Sequence, residues 1–127
     1  MGVINNLSPR QPPHPATILV VEDNALVRLV AVEFLEDSGF KVVEADSADG
    51  AIDLLTCNGP IDAVFSDVQM PGTMDGVELA HWISREMPDV KVLLTSGNAP
   101  TQSGVPILPK PYDLNAVARR LKGMVAH

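Results

Sequence analysis

Ile61-Asp62-Ala63-Val64-Phe65-Ser66-Asp67 is a mostly apolar stretch with an acid at its end. The run from Ile61 to Ser66 reads as a strand, and it stops at a lone carboxylate. Three other short apolar runs have the same form: Ile18-Leu19-Val20-Val21 stops at Glu22-Asp23, Val90-Lys91-Val92-Leu93-Leu94 at Thr95-Ser96, and Pro106-Ile107-Leu108-Pro109 at Lys110-Pro111. If these are neighbouring parallel strands, their carboxyl ends share one edge of a sheet, where open α/β folds place their ligands. That edge would hold three carboxylates, a hydroxyl and an ammonium, a set suited to binding a divalent metal and a phosphoryl group together.

Helical patterns fill the intervals. Thr17 to Val21 is a continuous β-branched and aliphatic run, as in a strand buried on both faces. Asn24 can cap a helix in which Leu26, Val27, Val30, Phe34 and Leu35 recur at helical spacing, with Gly39 as its stop. Phe40 to Ala45 reads as a strand, and Ser47 as the cap of a helix bearing Ala51, Ile52, Leu54 and Leu55. Asp75 and Glu78 form a capping pair before a helix whose buried stripe would be Val77, Ala80, Ile83 and Met87, ended by Pro88. Asp113 caps a last helix carrying Leu114, Val117, Leu121 and Val125. The repeating βα pattern predicts an α/β fold, an open parallel sheet with helices on both faces. Between Ser96 and Val105, Gly97, Asn98, Pro100, Ser103 and Gly104 leave little room for a helix, so the fourth crossover is expected to be mostly loop.

The 127 residues suit one domain. Residues 1–15 hold four of the eleven prolines and no apolar pattern, which predicts a flexible arm before a domain spanning 16–127. No apolar run is long enough to cross a bilayer and the arm is too polar for a secretory signal, so the expected location is cytoplasmic. Nine Lys+Arg against sixteen Asp+Glu give a net charge of −7, which would repel nucleic acid. The single cysteine, Cys57, excludes an intramolecular disulfide and reads as a small apolar residue near a helix end. Arg119, Arg120 and Lys122 read as a solvated helix face, Trp82 as a half-exposed packing residue, and Tyr112 as packing at the start of the last helix.

The chain resembles the response-regulator receiver domain of two-component signalling over residues 17 to 126. The resemblance rests on Val21-Glu22-Asp23, on Asp67-Val68-Gln69-Met70-Pro71 followed by Met74-Asp75-Gly76, on Leu94-Thr95-Ser96, and on Lys110-Pro111-Tyr112. It implies the doubly wound, flavodoxin-like five-stranded sheet of order 2-1-3-4-5. It also implies that Asp67 is the phosphoacceptor, that Thr95 meets the incoming phosphoryl group, and that Lys110 is its cationic partner. Glu22, Asp23, Asp67 and the backbone carbonyl of Gln69 would then bind Mg²⁺, with Mn²⁺ as a substitute. A carboxylate is repelled by a phosphoryl dianion, and a divalent ion with a lysine offsets that repulsion. Phosphoryl transfer depends largely on such positioning and charge stabilisation.

Two departures from the family pattern bear on output. The family often has an aromatic three residues before the lysine, where this chain has Ile107. The stretch from Thr95 to Lys110 is shorter than usual by about two helical turns, removing most of the fourth helix. The resemblance implies a histidine kinase or histidine phosphotransfer protein as donor, an unknown downstream protein, and a monomer or weak dimer acting without an output domain. On that reading the chain is a switch with self-catalysed chemistry rather than an enzyme. Singly, Asp67 could be a loop-starting Asp, Glu22-Asp23 a helix-dipole pair, Thr95 a turn hydroxyl and Lys110 a solvated charge. A constitutive interaction module or phosphate sink with the same fold is the rival reading. A phosphohydrolase would need an acid at the position of Gln69.

Overall fold

Strands and helices alternate as far as the fourth strand in the computed structural model, which describes residues 15–57, 59–70, 72, 74–97 and 104–126. In chain order they are β1 (Thr17–Val21), α1 (Ala25–Asp37), β2 (Lys41–Ala45), α2 (Ala48–Cys57), β3 (Ala63–Asp67), α3 (Gly76–Glu86), β4 (Lys91–Ser96), β5 (Ile107–Pro109) and α4 (Leu114–Val125). The strands form one parallel sheet of order β2-β1-β3-β4-β5, as expected. Side chains alternate across the central strand β1 and divide the core in two. Ile18 and Val20 pack with Ala31, Val32 and Leu35 of α1 and with Val117, Ala118 and Leu121 of α4. Leu19 and Val21 pack on the other face with Ala48, Ala51 and Leu55 of α2 and Leu79 and Ile83 of α3. Each strand of the centre is therefore covered twice, which accounts for its unbroken apolar run.

The helix ends follow the sequence closely. Asn24 Oδ1 accepts from the backbone N–H groups of Leu26 and Val27, and Asp113 Oδ1 from that of Asn115. Asp75 and Glu78 exchange both bonds of a capping box. Gly39, at φ +103°, ends the first helix in the left-handed region.

The buried faces of two helices differ from expectation. In α1 the core-facing arc is Ala31, Val32 and Leu35; of the residues read at helical spacing, Leu35 is buried and Phe34 half-buried, whereas Leu26, Val27 and Val30 are exposed together with Leu29. The arc continues towards the helix start through the half-buried Arg28, whose charge breaks the apolar pattern and shifts the apparent stripe by a residue. In α3 the fully buried Leu79 takes the place expected of Val77, which is half-buried. Cys57 lies at a helix end as read, but it is exposed. The arm lies outside the described residues save Pro15. So does most of the crossover after Ser96; of its described residues, Gly97 and Gly104 to Pro106 are not helical.

Candidate functional site

Parallel pairing brings the ends of β1, β3, β4 and β5 together. Val21 is in register with Ser66, Asp67 with Thr95, and Thr95 with Leu108. Asp67 and Thr95 are thus the last pair of the β3–β4 ladder, and Glu22, Asp23 and Lys110 follow one residue or two beyond the ends of their strands. The Glu22 N–H donates to the Ala45 carbonyl (3.1 Å) and the Lys110 N–H to the Ser96 carbonyl (2.9 Å), so both loops leave the sheet along fixed paths.

Asp67 is buried at the centre. Its Oδ2 accepts from Lys110 Nζ at 2.8 Å, and its Oδ1 accepts from the Gln69 N–H at 3.1 Å. Ser66 Oγ donates to the Asp67 carbonyl at 2.9 Å, and the Val68 N–H donates to the Thr95 carbonyl at 2.9 Å, which fixes the backbone on both sides. Burial works against the Lys110 ammonium, but the bond to Asp67 and its charge, with that of Glu22, prevail and raise the lysine's pKa. Lys110 therefore carries its charge throughout the physiological range.

One carboxylate oxygen from each of Glu22, Asp23 and Asp67 lies within 4.8 Å of the others. Oxygens around an octahedral Mg²⁺ at about 2.1 Å stand about 3 to 4.2 Å apart, so small side-chain shifts suffice to share one ion. The donors are all hard oxygens, as Mg²⁺ or Mn²⁺ prefers, and the residues fit such an ion. Glu22 is buried and Asp23 exposed. Burial raises the Glu22 pKa, and its neighbours Asp23 and Asp67 raise it further, while the Asn24 N–H bonded to Oε2 at 3.0 Å lowers it. Burial is the largest cause, and the Lys110 charge offsets part of the rise.

Thr95 completes the group. It is 1 % exposed, and its Oγ1 is the one buried side-chain polar atom among the described residues that lacks a hydrogen-bond partner. It borders a cavity of about 10 Å³ with Glu22, Val27, Phe65, Asp67 and Tyr112, at the lower limit for holding one water. Tyr112 stands edge-on to Phe65, with ring centroids 5.7 Å apart, and burial together with the Glu22 charge raises its pKa. Its packing role matches expectation.

The structure thus brings Glu22, Asp23, Asp67, Thr95 and Lys110 to one edge, as the strand endings require. Gln69 is exposed beside them and contributes its N–H to Asp67. Two residues have roles at the site that the sequence reading does not assign: Gly76, quoted there only as part of a motif, and Arg28. Gly76 donates its N–H to the Val68 carbonyl at 2.8 Å, and a Cβ there would fall on the Asp67 carbonyl oxygen. Arg28 donates from Nη1 to the Glu22 carbonyl at 2.7 Å. The Lys110–Pro111 peptide bond is cis.

Known proteins share this arrangement of chain. The sensor kinase CckA of Brucella abortus is 36% identical over 119 residues, covering 87% of this chain and 12% of the kinase. The nitrogen assimilation regulatory protein NtrX of Azorhizobium caulinodans is 34% identical over 89 residues, 69% of this chain and 19% of that protein. The chain therefore spans only a small part of these longer relatives. The response regulator receiver protein CpdR of Brucella abortus is 30% identical over 116 residues, 85% of this chain and 95% of CpdR. Among solved structures, the receiver domain of the hybrid histidine kinase CckA superposes with a TM-score of 0.75 at 37% identity, covering 87% of this chain and 99% of that one. A response regulator receiver protein from Pseudomonas putida gives 0.79 at 26% identity, with 88% and 99% covered. The response regulator receiver domain family matches residues 18–120, most of the chain, and the chain belongs to that family of two-component signalling modules.

Proposed function

We propose that this chain accepts a phosphoryl group on Asp67 from a histidine kinase or histidine phosphotransfer protein and signals through altered protein binding. The observation that carries the reading is the 2.8 Å pair between Lys110 Nζ and the same Asp67 carboxylate that stands with Glu22 and Asp23. A carboxylate oxygen of Asp67 forms the new O–P bond as the P–N bond to the donor imidazole breaks, and the imidazole regains a proton from solvent. Lys110 Nζ and the unpartnered Thr95 Oγ1 donate to the phosphoryl oxygens. Glu22, Asp23, Asp67 and the Gln69 carbonyl would hold Mg²⁺, or Mn²⁺ in its place, and such an ion would offset the charge repulsion between acid and phosphoryl group. The donor is taken to dock on the exposed apolar side chains Leu26, Val27, Leu29 and Val30, since Val27 also lines the Thr95 cavity and a contiguous apolar patch marks an interaction surface.

On this reading residues 16–127 are the signalling unit and 1–15 an arm. The unit works in the cytoplasm as a monomer or weak dimer, binds no nucleic acid, and catalyses nothing beyond its own phosphorylation and dephosphorylation. The test is transfer of labelled phosphate from a phosphorylated histidine kinase. Label is expected on the wild type and none on Asp67→Asn; equal labelling of both contradicts the assignment. A second reading, an interaction module or phosphate sink without switching, is favoured by Ile107, which has no ring to report on Thr95. Amide NMR shifts on phosphorylation that stay confined to residues around Asp67 would favour it, and shifts reaching residues 104–112 would count against it.

A further inference from the structure

We propose that Arg28 is a positioning residue for cation binding, holding the Glu22-Asp23 turn where those two acids and Asp67 can share one ion. The inference rests on the reading of these three acids as ion ligands. Arg28 is 20 % exposed at its side chain and makes a fork. Nη1 donates to the Glu22 carbonyl at 2.7 Å, and Nε donates to Glu44 Oε1 at 2.8 Å. Glu44 is the residue before the end of β2, whose last residue, Ala45, accepts from the Glu22 N–H. Both backbone groups of Glu22 are thereby tied to the same neighbouring strand, one directly and one through the guanidinium. The Glu22 carboxylate is tied in turn to the Asn24 N–H. Asp23, the exposed member of the cluster, lies between those two anchors and takes its direction from them. Groups that orient the ligands of a metal set its affinity, and losing one costs roughly ten- to a hundredfold in binding.

Charge alone would argue the other way. A guanidinium bonded to the backbone of the Glu22-Asp23 turn adds positive charge on that side of the site, so removing it should tighten cation binding if charge were all that mattered. Positioning and simple electrostatics therefore predict opposite signs for the same substitution. The planar fork also distinguishes arginine from lysine, whose single ammonium cannot hold the same two acceptors in that geometry.

The test is a Mg²⁺ titration of the full chain followed by the amide NMR shifts of Asp23 and Asp67, with thermal melts by circular dichroism to show that each variant is folded. Wild type should bind, Arg28→Ala should bind at least roughly tenfold more weakly, and Arg28→Lys should fall between them. Wild-type or tighter affinity in a folded Arg28→Ala overturns the proposal, and wild-type affinity in Arg28→Lys overturns the role of the fork. Should Arg28→Ala fail to fold, the lysine variant alone decides. Failure of the wild type to bind Mg²⁺ sinks the underlying assignment of the acids instead, a result distinct from either variant outcome.

Discussion

Thr95 keeps a hydroxyl in the core with nothing to bond to, beside a cavity too tight for more than one water. Leaving such a group unpaired costs about 1–3 kcal/mol. Thr95→Val, which has nearly the same shape, should raise the stability of the unphosphorylated protein by about 1 kcal/mol in urea unfolding while slowing acceptance of phosphate. A loss of stability would mean the hydroxyl already has a partner. Glu22 makes a parallel case. Its pKa is raised first by burial, then by its acidic neighbours, so the folded state holds this proton more tightly than the unfolded chain does. Metal-free stability should therefore fall as pH rises from the ordinary glutamate pKa through the raised one, and Glu22→Gln should flatten that slope in melts recorded with chelator. An unchanged slope would place the strain elsewhere. At this scale the acids, Thr95 and Lys110 were legible because strand ends are readable and their chemistry is distinctive. Arg28 was not, because a helical arginine reads as a solvated charge, and its acceptor is a backbone carbonyl that carries no side-chain signature.

The elements were legible where caps and breakers punctuate them, and less so where burial depends on packing. Asn24, Asp75 and Asp113 begin their helices as read. The buried face of α1 was misread because its large aliphatic residues, Leu26 and Val30, face outwards while the smaller Ala31 faces the sheet. Periodicity records which residues are apolar, and a helix with apolar residues on more than one side does not say which side meets the core. In α3 the constraint lies at Gly76, where the helix start meets the backbone at the end of β3. A Cβ would stand 2.8 Å from Val68 Cα as well as against the Asp67 carbonyl. Gly76→Ala should destabilise the fold by about 1–3 kcal/mol through overpacking and slow phosphate acceptance by displacing Asp67. A variant with wild-type unfolding midpoint and wild-type acceptance would show that α3 can move aside without consequence.

Across the whole molecule, the alternation of strand and helix patterns sufficed for an open parallel sheet, but the order β2-β1-β3-β4-β5 came only with the family resemblance. An apolar run states that a strand is covered, not which strand lies beside it. The order is what gathers residues as distant as Glu22, Asp67, Thr95 and Lys110 on one edge. With a net charge of −7 and one oxygen from each of three acids within 4.8 Å of the others, a cation at that edge would relieve like-charge repulsion. The proposed chemistry of this edge is cation-dependent phosphoryl acceptance on Asp67. Its most direct test is the intact mass of the protein after incubation with a small-molecule phosphodonor, with Mg²⁺ and with chelator, beside Asp67→Asn. The expected result is a single phosphate adduct that requires the metal and is absent from the variant; an adduct that survives in Asp67→Asn, or none on the wild type under conditions that modify another receiver domain, would overturn the assignment of Asp67.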